Sequence, residues 1–361
     1  MKQTSIYLDY AATAPLRDSS AKAMAPYWAD DFGNPSSVHA VGRTALNAVD
    51  AARRRVAEIL DCEAGEIIFT SGGTESDNLA VIGLAAGMPK GHIITSTIEH
   101  KAVLESCQSL EKWGWQVTYL NPNKNGLISA ESVIDALRDD TRLVSIMYAN
   151  NEIGTIQPIR EIGKKLQALN KERKTPVLFH TDGVQAATLL PLGTKYLHVD
   201  MLSLSGHKLG GPKGTGILFV KKGINLTPLF HGGGQESGRR SGTLNVPGII
   251  GMSTALAEAT KLQAKESARL AKLQKLILTE VAKWPSVVVN GDVKSRLVSN
   301  VNISIKGHAS DELVIALDRQ GICVSAASAC ASGSIQPSYV IEAMGVPVWR
   351  DEVTVGPFAG S

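Results

Sequence analysis

The run Met201-Leu202-Ser203-Leu204, followed by Ser205-Gly206-His207-Lys208-Leu209-Gly210-Gly211-Pro212-Lys213, says more about this chain than any other stretch. Its first four residues read as a buried strand, and the glycines behind them end it. Lys208 then emerges from a sheet edge into a site. An amine placed there can be desolvated, which lowers its pKa and makes it a nucleophile able to hold a carbonyl as a Schiff base. The same motif also fits a solvated loop lysine, so the choice depends on the rest of the chain.

Around this run, strand-like and helix-like segments alternate. Residues 66–70, 92–96, 116–120, 142–147, 176–181, 200–204 and 216–220 read as strands, and amphipathic stretches such as 78–86 and 101–113 read as helices. This alternation predicts an α/β fold with a mostly parallel sheet covered on both faces, and a ligand at the carboxyl ends of the strands. From 251 to 284 the pattern becomes one long helical stretch, with Leu270, Leu273, Ile277 and Val281 on one face. It is expected to bridge into a second domain with strands near 287–290 and 298–305, a helix after Ser310 and a final helix over 339–344. The expected division is a large domain over 15–254 and a smaller one formed by 1–14 and 255–361.

A chain of 361 residues that is 43% hydrophobic can bury two cores without stapling. The net charge of +3 is too small to suggest a nucleic-acid surface, and Arg53-Arg54-Arg55 reads as a solvated helix face. Cys62, Cys107, Cys323 and Cys330 show no C-x-x-C spacing for zinc or a redox pair. No apolar run has signal-peptide or bilayer-spanning length, so a cytoplasmic protein with reduced thiols and no membrane partner is expected.

Three further stretches bear on chemistry. Glu66-Ile67-Ile68-Phe69-Thr70-Ser71-Gly72-Gly73-Thr74-Glu75 is a strand, a glycine turn and a helix start, whose free amides suit a phosphate; it is equally an ordinary capped turn. Asp182 ends the run Val177-Leu178-Phe179-His180-Thr181, so a carboxylate stands at the mouth of a buried strand. A buried acid needs a cationic partner, and a protonated pyridine nitrogen would make it useful; a cap for the next helix is the alternative. His100, after another strand, suits stacking on a flat ring or moving protons, and also suits a helix start. A P-loop and a nucleophile elbow are both missing from the sequence.

Residues 7–15 (Tyr-Leu-Asp-Tyr-Ala-Ala-Thr-Ala-Pro), 70–78, Glu99-His100-Lys101-Ala102-Val103, Asn150-Asn151-Glu152-Ile153-Gly154, the lysine motif, His231-Gly232-Gly233-Gly234-Gln235-Glu236, Arg240-Ser241-Gly242-Thr243 and Ser328-Ala329-Cys330-Ala331-Ser332-Gly333 follow one another in a familiar order. Over nearly its whole length the chain resembles the cysteine desulfurases. The resemblance implies a fold-type I pyridoxal-phosphate homodimer of the class V aminotransferase kind. It makes Lys208 the Schiff-base lysine, Asp182 the partner of the pyridine nitrogen, and His100 the stacking histidine and a candidate acid or base. Gln185 and Asn151 match contacts near the phenolic oxygen or the substrate. Gly73, Thr74, Ser205 and His207 match the phosphate cradle, and Thr243 matches a phosphate ligand that reaches across from the other subunit.

The implied reaction takes sulfur from L-cysteine onto Cys330 as a persulfide, releases alanine and passes the sulfur to a protein acceptor. Cys330 is expected to ride a mobile loop of small residues, the alternative being a tight packing site with an inert thiol; Cys323 reads as a strand-core thiol. Two departures stand out. Ser237 replaces a basic residue carried by many relatives, and Gly356 falls near the arginine that clamps the substrate carboxylate. The chain also stops at Ser361, short of the family's usual final segment, and Arg350 is the nearest candidate clamp, or else a surface arginine beside Trp349 and Asp351. A related lyase of the selenocysteine or cystine type, and a catalytically weak scaffold for sulfur acceptors, are the other readings.

Overall fold

The computed structural model describes residues 5–326, 338–347 and 349. Seven strands form its main sheet: β2 (Ile67–Thr70), β3 (His92–Ser96), β4 (Gln116–Leu120), β5 (Thr141–Ser145), β6 (Leu178–Asp182), β7 (Met201–Ser205) and β8 (Gly216–Val220). Their spatial order is β2-β8-β7-β6-β5-β3-β4, and β8 runs antiparallel to both of its neighbours. The remaining pairings, from β7 to β4, are parallel. The seven strand readings from sequence all correspond to strands, three of them to the residue.

Successive side chains of a strand face opposite ways, and the sequence supplies apolar residues at both phases. Ile67, Phe69, Phe179, Leu202, Leu204, Ile217 and Phe219 enter one core with the helices Ala40–Leu60, Ile159–Leu169 and the start of Val246–Val281. Ile68, Leu143, Met201, Leu218 and Val220 enter the other, beneath residues 73–86 and the helix Lys101–Lys112. Each fully buried aliphatic or aromatic side chain contributes roughly 1.5–3 kcal/mol. The segment 73–86 begins as the helix Gly73–Asn78, widens into a π-helical turn at Leu79–Gly83 and closes at Leu84–Ala86.

The long helix Val246–Val281 starts five residues earlier than the 251 expected from sequence, with Pro247 in its first turn and the Asn245 side chain accepting from the Gly248 amide. Its far end packs Leu270, Ile277 and Val281 on a small antiparallel pair, β9 (Val287–Val289) and β10 (Ile303–Ile305). Leu273 departs from the expected face and is 39% exposed. The strand expected over 298–305 shrinks to its last three residues. β1 (Ile6–Tyr7) pairs in parallel with β11 (Ile322–Cys323), which holds Cys323 half-buried rather than in a core.

The arginine run departs from the solvated face expected of it. Arg53 is not a solvated side chain: its guanidinium grips both oxygens of Glu236, whose side chain is fully buried, and lies 4.7 Å from the centre of the Phe69 ring. A planar fork matches a carboxylate in a way that composition alone does not reveal. Among the described residues no helix is long and apolar enough to cross a membrane.

Candidate active site

Four strands end at one edge of the sheet, delivering Thr70, Ser96, Asp182 and Ser205 to it. The chain leaves β2 through Ser71-Gly72 and enters the helix Gly73–Asn78 at once. A Cβ on Gly73 would lie 3.1 Å from Val184 Cγ2 and 3.5 Å from Ser205 Cβ, so the turn lies closely against the ends of β6 and β7. Thr74 is exposed beside this turn, while Ser205 is buried.

Lys208 closes a short 3-10 turn, Gly206–Lys208, directly behind β7. Its ammonium donates to the carbonyls of Ala11 and Ala12, the latter at 2.9 Å. Gln185 Nε2 donates to the same Ala11 carbonyl at 3.2 Å, and His207 Nδ1 lies 3.2 Å from Thr13 Oγ1. The N-terminal motif therefore lies across the lysine turn and gathers Lys208, Gln185 and His207. Burial first, then the Lys208 and Lys213 charges, push the His207 imidazole down to about 4, so it is neutral near pH 7.

Asp182 is buried, and its Oδ1 accepts from the Val184 amide at 2.9 Å. No helix follows it among the described residues, so the capping alternative is replaced by a turn that the Asp182 side chain closes on the Val184 amide. Burial raises the proton affinity of Asp182, while His100, the Val184 amide and Lys208 oppose that rise. His100 starts the helix Lys101–Lys112, and its Nδ1 accepts from the Ala102 amide at 3.1 Å. That bond assigns the proton of the neutral ring to Nε2. Desolvation and the Lys208 charge hold its pKa below the usual imidazole range against the pull of Asp182. Asn151 carries a buried Oδ1 that meets no hydrogen-bond partner among the described residues.

Lys208, Asp182, His100, Gln185 and His207 thus converge at the carboxyl ends of β6, β7 and β3. Thr243 is exposed, and no described hydrogen bond or ion pair joins it to them. Cys330, Arg350 and Gly356 lie outside the described residues.

The class-V aminotransferase family profile matches residues 6–350. The chain belongs to the class-V aminotransferases. Within the family it is similar to a protein named cysteine desulfurase IscS from Methanosarcina thermophila, 47% identical over 344 residues that cover 95% of this chain and 84% of the relative. A putative cysteine desulfurase IscS 1 from Bacillus subtilis is 48% identical over 94% of this chain and 89% of its own. Among solved structures, a NifS-like protein superposes with a TM-score of 0.90 at 34% identity, covering 98% of this chain and 93% of that one. SspA, solved in complex with cysteine, superposes with a TM-score of 0.85 at 37% identity, covering 98% and 99%.

Two acids of this class-V aminotransferase pocket sit inside the segments 70–78 and 99–103 and receive no role from sequence. Asp77 falls in phase with Ala80, Val81 and Leu84, all buried, and an acid at an apolar stripe position is the available signal. Glu99 is the other: its Oε1 accepts from Ser96 Oγ at 2.6 Å and from the Met147 amide at 3.0 Å, while Oε2 meets no partner among the described residues. Burial pushes the Glu99 carboxyl up to about 8, so the folded protein keeps a proton there that the unfolded chain releases above its ordinary value of 4.5. The stability this proton contributes is fully present below that unfolded value and is lost as pH rises through about 8. Glu99→Gln is therefore expected to gain on the parent protein by about 1.4 kcal/mol per pH unit across this window. Denaturant midpoints of both proteins at pH 5, 6.5 and 8 measure it, and a constant difference would show that Glu99 is already ionised.

Proposed function

We propose that the chain is a pyridoxal-phosphate-dependent cysteine desulfurase that converts L-cysteine to L-alanine and retains the sulfur as a persulfide on Cys330. The observation that carries this reading is the convergence of Lys208, Asp182 and His100 in one pocket at the carboxyl edge of the sheet. The relatives named cysteine desulfurase support the substrate.

The pocket fits the cofactor. A glycine turn bare of side chains lies against Ser205, an amine reaches the mouth, a buried acid stands below, and Asn151 keeps a buried oxygen without a partner among the described residues. We assign Gly73, Thr74, Ser205 and His207 to the phosphate, Asp182 to the pyridine nitrogen, His100 to the ring face, and Gln185 and Asn151 to the ring oxygen or substrate. When bound, pyridoxal 5′-phosphate supplies a carbonyl for an amine and a pyridinium ring that takes up charge developing at the substrate Cα.

The chain's own groups do the remainder. Asp182 holds negative charge against the ring nitrogen. Lys208, once its amine is free, takes the proton from the substrate Cα and returns it later, and the neutral His100 keeps an Nε2 proton to give. The Cys330 thiolate forms a bond to the substrate sulfur as the carbon–sulfur bond breaks, so L-cysteine and one enzyme thiol become L-alanine and one enzyme persulfide. A protein thiol or scaffold then accepts the outer sulfur.

We also propose a homodimer in which Thr243 completes the phosphate site of the neighbouring subunit. Its exposure supports this, as do Trp28, Phe32 and Val38, which are 66%, 70% and 89% exposed near the ends of the helices preceding and including Ala40–Leu60. The large domain over 15–254 would hold the cofactor, and the smaller one, from 1–14 and 255–361, would carry the cysteine.

The deciding experiment mixes the purified yellow protein with L-cysteine and a reducing thiol and quantifies alanine and sulfide. Equal amounts over several turnovers support the desulfurase, whereas pyruvate and ammonia in place of alanine would assign a lyase. Cys330→Ser is expected to retain cofactor and bind cysteine while losing the persulfide detected by intact-mass spectrometry. Persulfide at the parent level in that variant removes Cys330 from the role.

A further inference from the structure

A second polar assembly lies on the sheet face beneath the helix Gly73–Asn78. Ser145 of β5 and His180 of β6 are in register, and Ser203 of β7, two residues beyond the His180 partner Met201, lies on the same face of the sheet. His180 Nδ1 is 2.8 Å from Ser145 Oγ, its Nε2 is 3.0 Å from Ser203 Oγ, and the Ser203 hydroxyl faces the Asp77 carboxyl. Ser145, His180 and Ser203 are each 0% exposed and Asp77 is 1% exposed. Asp182 is the next inward-facing residue after His180 and sits in register with Ser203. Asp77, Ser203, His180 and Ser145 have no part in the reaction described above.

The charged and titratable groups facing Asp77 are His180, Asp182 and Glu99. Two neighbouring buried carboxyls cannot both ionise at reasonable cost. Asp182 has a backbone amide donor and faces His100 and Lys208. Asp77 has less support: burial and then the Asp182 charge raise its proton affinity, only the Ser203 hydroxyl opposes that rise, and its Oδ1, 3.7 Å from His180 Nε2, meets no hydrogen-bond partner among the described residues. An anionic oxygen left so would carry its full desolvation penalty. Burial alone keeps His180 neutral, down to about 3, so it offers Asp77 no charge.

We propose that Asp77 is a positioning residue for the reaction, a neutral acid that anchors the chain Ser203–His180–Ser145 and leaves the negative charge of the pair on Asp182. This rests on the reading of the pocket as a pyridoxal-phosphate site. With the proton on Asp77, the acid donates to Ser203 Oγ, Ser203 donates to His180 Nε2, and His180 Nδ1–H donates to Ser145 Oγ. Ionised Asp77 would reverse every bond and put the ring proton on Nε2. A second negative charge beside Asp182 would also raise its proton affinity and weaken its hold on a ring cation.

The test begins with the cofactor-free protein, where nitrogen chemical shifts of 15N-histidine report the His180 tautomer without any turnover. The expected result is Nδ1–H in the parent protein and in Asp77→Asn, whose amide donates to Ser203 as the neutral acid does. In the loaded enzyme, Asp77→Asn should keep kcat within about threefold and the acid limb of its pH profile within roughly half a unit. Asp77→Ala, which removes the anchor, should lower kcat about tenfold or more with little change in KM for L-cysteine. If the alanine variant fails to fold, Ser203→Ala interrupts the same chain and should lower kcat likewise. An Nε2–H tautomer in the parent, an acid limb moved by about a unit in Asp77→Asn, or parent-level kcat in the interrupted chain would each overturn the proposal. A parent enzyme that releases no alanine would instead refute the desulfurase reading and leave the tautomer result standing.

Discussion

Lys208→Ala is expected to fold and to lose turnover of L-cysteine by roughly 10³-fold or more, the span that a positioned acid–base group contributes. The loss is this large because, in the proposed function, one amine would both hold the cofactor and move the Cα proton. No neighbouring lysine among the described residues is placed to substitute for it. Lys213 is exposed beyond the glycine turn, and the Lys101 ammonium lies 4.4 Å from the centre of the Tyr339 ring. Stability should change little, since the lysine is not part of either core and the Ala11 and Ala12 carbonyls it releases can turn to water. Two measurements check the expectation: alanine release under saturating L-cysteine, and the visible absorbance of lysine-bound cofactor. A variant that keeps that absorbance would assign the covalent link to another residue.

Asp182→Asn should lower kcat by about 10²- to 10³-fold while leaving cofactor content nearly unchanged. Asparagine keeps the shape and the acceptor for the Val184 amide, so the turn survives. What it removes is the buried negative charge; leaving a buried cation without its partner costs about 3–5 kcal/mol, and the stated loss of rate corresponds to about 3–4 kcal/mol of that. The phosphate cradle proposed at the Gly73 turn draws on other segments, which is why retention and chemistry should separate. Exchange of the L-cysteine Cα hydrogen for deuterium reads the effect directly, and parent-level exchange would remove Asp182 from the ring nitrogen. A second readout needs no cofactor. Because Asp182 raises the proton affinity of His100, the histidine in Asp182→Asn should titrate lower still.

Both of these residues are legible in the sequence, for a simple reason. Lys208 and Asp182 each follow a short apolar run, and a polar group at the end of a buried strand is conspicuous along the chain. His100 is legible in two ways at once, as a helix start and as a ring partner; the fold shows the first, with Nδ1 capping the helix Lys101–Lys112, and leaves Nε2 for the proposed second. Asp77 is not legible. On a helix whose neighbours are Ala80, Val81 and Leu84, one acid is a small perturbation of an apolar stripe, and its partners Ser203 and His180 come from strands more than a hundred residues away. Arg53 misleads on the same grounds, because Glu236, which it grips, is 183 residues distant.

Side-chain spacing along the chain suffices for the periodicities: which segments are strands, which are helices, that the sheet is covered on both faces, and which polar residues stand at strand ends. These are local properties, each set within one element. Long-range packing is needed to bring β8 antiparallel between β2 and β7, to lay the N-terminal motif across Lys208, and to determine which of several buried acids face cations and which do not. A proton's position depends on the field of every group around it, and those groups are assembled by contacts that no spacing along the chain encodes.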